Sequence, residues 1–492
     1  MSMLNLLDLL RSQPLLMAAA NPFWPALSHF LTLSLLGFGA LKVTRTRTSS
    51  PPNHLNFFFT AVSAATVSSM STVEMEVFSN AQLLIVTLLM FLGGEVFVSA
   101  AAFHLSRRFS SSVKNPTGPA RSIDSELEIG HGRSMTVTDE FVNHEKSTAL
   151  LGRVVVGYLL AANLIGSLFV FLYVTLVSRA RHVLESKGIN LVTFSIFTTV
   201  STFTNCGFIP TNENMIVFKD SSGILLALVA QVLLGGCLYP AGLRLVISGM
   251  TKVTGKKELR YILNNYSEMG YPHLLSGVRC RYLAGTAAGF VILQMIIFCS
   301  LEWNSEGLWD GLNPYRKTVA ALFQVTNSRH TGESVVDISV ISPAILVLFV
   351  VMMYLPPYTT FLPMKNKEMD SVGNGKGKRQ HLVGFLKFSQ LSYLAIFIIL
   401  ICITEKQQLR DDPLNFTVLN ITLEVISAYG NVGFSTGYSC KRQLKADGSC
   451  KDAWYGFVGR WSGKGKFILI LVMIFGRLKS FSMHGGRAWK LS

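Results

Sequence analysis

Charged residues are scarce: Asp, Glu, Lys and Arg make up 15% of the 492 residues, against roughly 25% in an ordinary soluble domain. Cysteine is sparse as well, with seven in the whole chain, too few for a disulfide-stapled framework. Glycine reaches 40 residues without any period, which excludes a collagen-like repeat, and the apolar content is too high for a disordered chain. Enzyme signatures are missing too. There is no G-x-x-x-x-G-K-[ST] and no H-E-x-x-H, and the ten His lie scattered without ligand spacing. No phosphate cradle, catalytic residue, resident metal centre or cofactor is therefore expected. What remains is apolar surface, at half of all residues. The net charge of +16, from 44 basic and 28 acidic residues, would suggest nucleic acid as partner in a soluble protein. With so few charges overall, the class expected is an all-α polytopic membrane protein with no nucleic-acid partner.

Apolar stretches near the ~20 residues needed to cross a bilayer occur eight times: Phe23 to Val43, Ala81 to Ala102, Ala149 to Val177, Gly223 to Ser248, Leu283 to Leu301, Pro343 to Pro363, Phe388 to Ile403 and Phe467 to Met483. An even number of spans puts both termini on one side. Long basic connections follow spans two, four and six, with Lys252, Lys256, Lys257 and Arg260 in the second and Gly375-Lys376-Gly377-Lys378-Arg379 in the third. The positive-inside rule makes that side cytoplasmic. Lys42, Arg45, Arg47, Lys441, Arg442, Lys445 and Lys451 fall on the outer side against the rule.

Each outer connection holds an apolar stretch too short to span: Leu55 to Val67, Leu191 to Cys206, Thr318 to Val325 and Val418 to Tyr429. Such segments are expected to be re-entrant half-helices, tolerable at membrane depth where protein or a watery cavity satisfies the backbone. Aligned on Ser69, Gly207, Gly332 and Gly433, they share a β-branched residue followed by a hydroxyl: Val62-Ser63, Val200-Ser201, Val325-Thr326 and Ile426-Ser427. The unit Asn327-Ser328-Arg329-His330-Thr331-Gly332 fits least well. Eight spans and four half-helices thus become four span, pore-loop and span repeats around one central pore. The expected division is a first repeat at 1–106, a cytoplasmic connection at 107–148, a second repeat at 149–249, a connection at 250–281, a third repeat at 282–364, a connection at 365–387, and a fourth repeat with the C-terminal tail at 388–492. A cation stripped of water needs carbonyls around the axis to replace its hydration shell. Half-helix C-termini pointing inward would favour its charge.

These loops resemble the four filter loops of the plant high-affinity K⁺ transporter family, which belongs with the bacterial Trk and Ktr proteins. The residues that carry the resemblance are Thr66-Val67-Ser68-Ser69-Met70-Ser71-Thr72-Val73-Glu74-Met75-Glu76, Ser201-Thr202-Phe203-Thr204-Asn205-Cys206-Gly207-Phe208, Asn327 to Glu333, and Ser427-Ala428-Tyr429-Gly430-Asn431-Val432-Gly433-Phe434. Tyr354-Leu355-Pro356-Pro357-Tyr358 and Gly485-Gly486-Arg487-Ala488-Trp489 extend it toward the C-terminus. The resemblance implies a filter at Ser69, Gly207, Gly332 and Gly433, flanked by Val67, Ser68, Asn205, Cys206, His330, Thr331, Asn431 and Val432. It also implies a homodimer in the plasma membrane with one pore per subunit. Ser at the first filter position resembles the Na⁺-selective subclass, and implies a channel-like Na⁺ uniporter active in Na⁺ uptake or retrieval and salt tolerance. The alternative is a K⁺ transporter or Na⁺/K⁺ symporter, for which Gly is expected at position 69. Ser disfavours positive φ, so a Ser69 carbonyl turned away from the axis would cost a K⁺ site one quadrant.

Glu74, Glu76, Glu213 and Glu333 follow the filter positions and are expected as outer-vestibule carboxylates that concentrate cations. The alternative is that they cap helices or pair with Arg329 and Lys219. Arg477, Lys479 and Glu95 lie within spans, where an ionisable residue signals function. The resemblance places Arg477 beside the pore below the filter, whereas Lys479 is expected to snorkel to the interface. Cys440 and Cys450, in an outer connection, form a candidate disulfide. Asn415 and Asn420 head outer glycosylation sequons.

Overall fold

In the computed structural model the described residues are 23–48, 51–113, 134–305, 307–309, 311–360, 390–443, 450, 452 and 456–482. The basic connection at 365–387, the Gly485–Trp489 motif, Lys445 and Lys451 lie outside them. Among the described residues the chain is helical throughout, apart from short turns and 3₁₀ segments.

The first repeat contains α1 (Phe23–Val43), the half-helix α2 (His54–Ala65), α3 (Asn80–Gly93) and α4 (Glu95–Val113). The second contains α5 (Ser134–Leu176), a short α6 (Ser178–Ser186), the half-helix α7 (Leu191–Phe203), α8 (Ser222–Gly235) and α9 (Tyr239–Thr254). After a connecting α10 (Lys257–Asn264), the third contains α11 (Gly277–Glu302), α12 (Pro314–Asn327) and α13 (Pro343–Tyr354). The fourth contains α14 (Gln390–Thr404), a short α15 (Lys406–Asp411), α16 (Val418–Gly430) and α17 (Gly463–Ser482). Local chemistry sets several starts. Asn190 accepts from Val192 and Thr193 N–H ahead of α7, and Ser79 and Gln82 form a capping box ahead of α3, so N–H groups that helix ends leave open are satisfied. Pro314 and Pro343 occupy first-turn positions that need no donor.

Each of the eight apolar stretches contains a helix, but they are not eight uninterrupted spans. Among the described residues three helices are long and apolar enough to cross a membrane on their own, and two bent pairs qualify as broken spans: α3 with α4 at 56° and α8 with α9 at 87°. α13 stops at Tyr354, because Pro356 and Pro357 lack the N–H groups a further turn needs. α5 starts at Ser134, well inside the segment read from sequence as a connection. The surface fits a lipid solvent: Leu164 (70% exposed) and Ile165 (69% exposed) on α5 and Ile296 (63% exposed) on α11 face outward. The half-helices are the buried elements; α7 alone buries ten consecutive or near-consecutive residues from Thr193 to Phe203.

Candidate functional site

Three half-helices close in the same way. Val67, Asn205 and Asn431, each two residues before the reference position, take left-handed φ of 50°, 59° and 53°. The next N–H then reaches back five residues: Ser68 N to Ser63 O at 2.8 Å, Cys206 N to Ser201 O at 2.9 Å, and Val432 N to Ser427 O at 3.0 Å. This is a Schellman closure. Asn tolerates left-handed backbone readily, whereas Val67, being β-branched, is held there by its surroundings. The recurring hydroxyl also has a local task, since Ser201 Oγ accepts Gly207 N–H at 3.0 Å and Ser427 Oγ accepts Gly433 N–H at 2.9 Å. The third loop closes differently: Thr331 N bonds to Asn327 O at 3.0 Å, His330 Nδ1 faces Thr326 O at 2.7 Å, and Thr331 Oγ1 donates to Asn327 Oδ1 at 3.0 Å.

The four reference residues converge. A Cβ built on Gly332 would lie 2.6 Å from Ser69 Oγ and 2.7 Å from Gly433 O. One built on Gly207 would collide with the Gly332 backbone, and one on Gly433 with Ser69 Cβ. Three loops therefore need Gly for lack of room, and the single side chain in the ring belongs to Ser69. Its φ is 52°, beside 98° at both Gly207 and Gly433, so the expectation that Ser avoids the left-handed region is wrong for this residue. Tight packing overrides the intrinsic preference. Gly332 is the one of the four without positive φ, and its carbonyl accepts Asn214 Nδ2 at 2.9 Å.

Bonds between repeats hold the ring. Asn431 Nδ2 donates to Ser68 Oγ at 2.8 Å, Gly332 N reaches Cys206 O at 3.4 Å, and Thr202 donates its hydroxyl proton to Glu333. Asn205, with its amide turned so that nitrogen donates, reaches Val232 O at 3.1 Å, matching Asn431 Nδ2 to Met473 O at 3.1 Å. Above the ring opens a cavity of about 800 Å³ including its mouth, lined by all four reference residues, by Glu213, Asp337 and Asp452, and by Arg442.

Of the four carboxylates expected in this vestibule, Glu213 lines it. Glu76 is clamped to the neighbouring repeat by Asn212 N at 3.0 Å, and its own N donates to Asn212 Oδ1 at 3.2 Å. Lys187 bridges both, 2.7 Å from Glu76 Oε1 and 2.7 Å from Glu213 Oε2. Burial alone would lower the Lys187 pKa, but the hydrogen bonds and charges of Glu213 and Glu76 outweigh it and hold the ammonium above its ordinary value. Arg47 Nη2 donates to Lys187 O at 2.8 Å. Glu74 stands ahead of the 3₁₀ turn Met75–Val77, outside the lining. Glu333 is fully buried behind the ring, where its carboxylate accepts from Thr202 instead of meeting solvent.

The second spans press on the half-helix ends with Gly. A Cβ at Gly93, Gly235 or Gly476 would collide with the carbonyl of Ala65, Phe203 or Tyr429 respectively, each four residues before its reference position. In the first two repeats the span breaks just after this Gly. In the fourth the helix continues, and the next residue is Arg477, 5% exposed, whose Nη2 donates to Gly93 O at 2.6 Å. Arg477 thus satisfies a carbonyl left open by the break in the first repeat. Lys479 does not snorkel: it hydrogen-bonds Tyr429 and Gln390, with its ammonium 4.5 Å from the Tyr429 ring centre. Cys440 and Cys450 are joined as a disulfide. The glycosylation expectation fails on burial. Asn415 is 1% exposed with Nδ2 donating to Asp412 and to Ser439 O, and Asn420 is 8% exposed with Nδ2 donating to Asn415 O. Neither amide nitrogen is open to a sugar.

Sequence reasoning missed Lys187, Asn214 and the three contact glycines. The glycines carried no signal of their own, because hydropathy continues across Gly93, Gly235 and Gly476 alike, and Lys187, at the end of a short helix, carried none either.

A family described as cation transport protein, TrkH, matches residues 10–369 and 386–490. The chain is 52% identical over 470 residues to the sodium transporter HKT1 of Arabidopsis thaliana, covering 92% of each. It is 49% identical over 488 residues to the cation transporter HKT1;3 of Oryza sativa subsp. japonica, covering 96% of this chain and 92% of that protein. Among solved structures, the potassium transporter TrkH from Vibrio parahaemolyticus aligns with a TM-score of 0.52 at 14% identity, over 94% of this chain and 84% of that one, a likeness of fold.

Proposed function

The chain belongs to the TrkH and HKT family of cation transport proteins, transporters and not enzymes, and from that premise we propose that it is a Na⁺-selective, channel-like uniporter. Na⁺ is the cargo, and Ser69, Gly207, Gly332 and Gly433 form the filter, with Val67, Ser68, Asn205, Cys206, His330, Thr331, Asn431 and Val432 fixing their backbone. The observation that carries this reading is the single side chain in the ring. The Ser69 hydroxymethyl fills room that a fourth Gly would leave open and adds an oxygen beside Gly332 and Gly433. A narrower ring with an extra oxygen ligand favours the smaller ion. Arg477, buried beside the half-helix ends with its Nη2 on Gly93 O, adds a positive barrier that moderates flux. The printed name of the Arabidopsis relative, a sodium transporter, agrees with this selectivity.

The protein works in the plasma membrane with both termini cytoplasmic, as a homodimer with one pore per subunit, in Na⁺ uptake or retrieval under salt stress. Glu213 and Glu76 share the one positive charge of Lys187, and the net negative charge left over draws cations weakly to the outer mouth. Expression in oocytes tests the reading: as external Na⁺ is exchanged for K⁺, the reversal potential should follow Na⁺. A potential that tracks K⁺ and ignores Na⁺ would instead favour a K⁺ transporter, and one that needs both ions a Na⁺/K⁺ symporter.

A further inference from the structure

Each of the four second spans leaves one polar side chain just past the level of the half-helix ends: Glu95 after the Gly94 break, Tyr239 at the start of α9, Tyr358 after the Leu355-Pro356-Pro357 stop, and Arg477 after Gly476. Between them the connection from α10 to α11 sends Tyr271-Pro272-His273. His273 is 5% exposed. Its Nε2 lies 3.7 Å from Glu95 Oε1, and its ring centre lies 5.3 Å from that of Tyr239 and 5.4 Å from that of Tyr358. A segment with a cytoplasmic sequence signature therefore touches three of the four repeats beneath the ring. Tyr239 and Tyr271 hold it there through their hydroxyls, 2.6 Å apart, with Ser99 Oγ 3.1 Å from Tyr271. A phenyl ring would fill this aromatic nest as well as imidazole does. What imidazole adds is a titratable proton next to a carboxylate; burial pulls its pKa below the ordinary imidazole value, and the charge of Glu95 restores only part of the loss.

We infer that His273 stands beside the inner side of the conduction path and that its protonation from the cytosol lowers cation current. The inference rests on the proposed path through the centre of the four loops. The groups facing His273 are Glu95 of α4, Tyr239 of α9, Tyr271 of its own segment and Tyr358 after α13. Behind them Tyr158 of α5 packs on Tyr239, Arg329 donates to Pro356 O and Pro357 O, and Arg477 of α17 donates to Gly93 O, two residues before Glu95. Burial disfavours the protonated imidazole, and the Glu95 carboxylate offsets that in part. An added positive charge beneath the filter joins the one on Arg477 and raises the barrier to a passing cation. His273 acts through the field it sets and is a positioning residue, together with the Glu95 carboxylate it holds.

Inside-out patches in symmetrical Na⁺, with the external pH fixed, test this. Lowering cytosolic pH from about 7.5 to about 5 should cut the current by up to about fifteenfold, the full effect of one new charge on the order of 10 Å from the path at an effective dielectric near 20. His273→Phe, which keeps the ring packing, should hold the alkaline current at both pH values. Glu95→Gln should shift the midpoint to lower pH, because the protonated imidazole loses its counter-charge. If His273→Phe does not reach the surface, His273→Gln should be equally pH-blind. An unchanged pH response in either surface-expressed His273 variant, or none in the wild type, overturns the inference. The same pH response carried by K⁺ would sink the Na⁺ reading and leave this one standing. A Na⁺-selective current indifferent to His273 would do the reverse.

Discussion

At Ser427 one hydroxyl fixes the backbone that follows a half-helix. Its hydroxyl takes the Gly433 N–H at 2.9 Å, and Ser427→Ala leaves that buried donor without an acceptor at a cost of about 1–3 kcal/mol. The purified variant should melt several degrees lower, and Ser427→Thr, which keeps the oxygen, should recover most of the loss. Thermal unfolding followed by fluorescence checks both. Arg477 belongs to the same scale. Arg477→Gln removes the charge and keeps a donor for Gly93 O, so the account expects larger or less rectified currents at unchanged surface expression. Identical current–voltage curves would remove its role as a barrier.

At the scale of elements, the contact between each second span and its half-helix decides where the loops sit. Gly235→Ala and Gly476→Ala each drive a methyl into a carbonyl, at a cost of about 1–3 kcal/mol. Both should reduce surface expression, measured by biotinylation. Gly289→Ala, where nothing lies within 4 Å, should be silent. The half-helices and their reference positions were legible in the sequence because apolar length and a repeated hydroxyl are one-dimensional signals. The breaks at Gly94 and Gly236 were not, since hydropathy continues across them and only the carbonyls of Ala65 and Phe203 give the neighbouring glycines their reason. Ser69 was assigned to its ring position from register, but its left-handed backbone was misjudged from intrinsic preference. Asn415 and Asn420 matched a sequon while the fold used both amides internally. Glu333 likewise looked like a mouth carboxylate and lies buried against Thr202.

Across the whole molecule, the positive charges that sequence reading expected on the outer side against the positive-inside pattern acquire partners in part: Arg47 reaches the Lys187 carbonyl, and Lys187 itself pairs with Glu76 and Glu213. Lys187→Gln frees Glu76 and Glu213 to attract cations. At low external salt the inward current should rise by up to about tenfold, and the gain should fade toward physiological ionic strength, where the Debye length is about 8 Å. A gain that ignores salt would mean Lys187 acts through structure alone. The central claim, that one hydroxymethyl in a four-loop ring selects Na⁺, is tested most directly by the K⁺-to-Na⁺ permeability ratio of wild type and Ser69→Gly, measured from reversal potentials in one batch of oocytes. The account predicts a low ratio in the wild type and a clearly raised one in Ser69→Gly, with Na⁺ still permeant; equal ratios in the two proteins would contradict it.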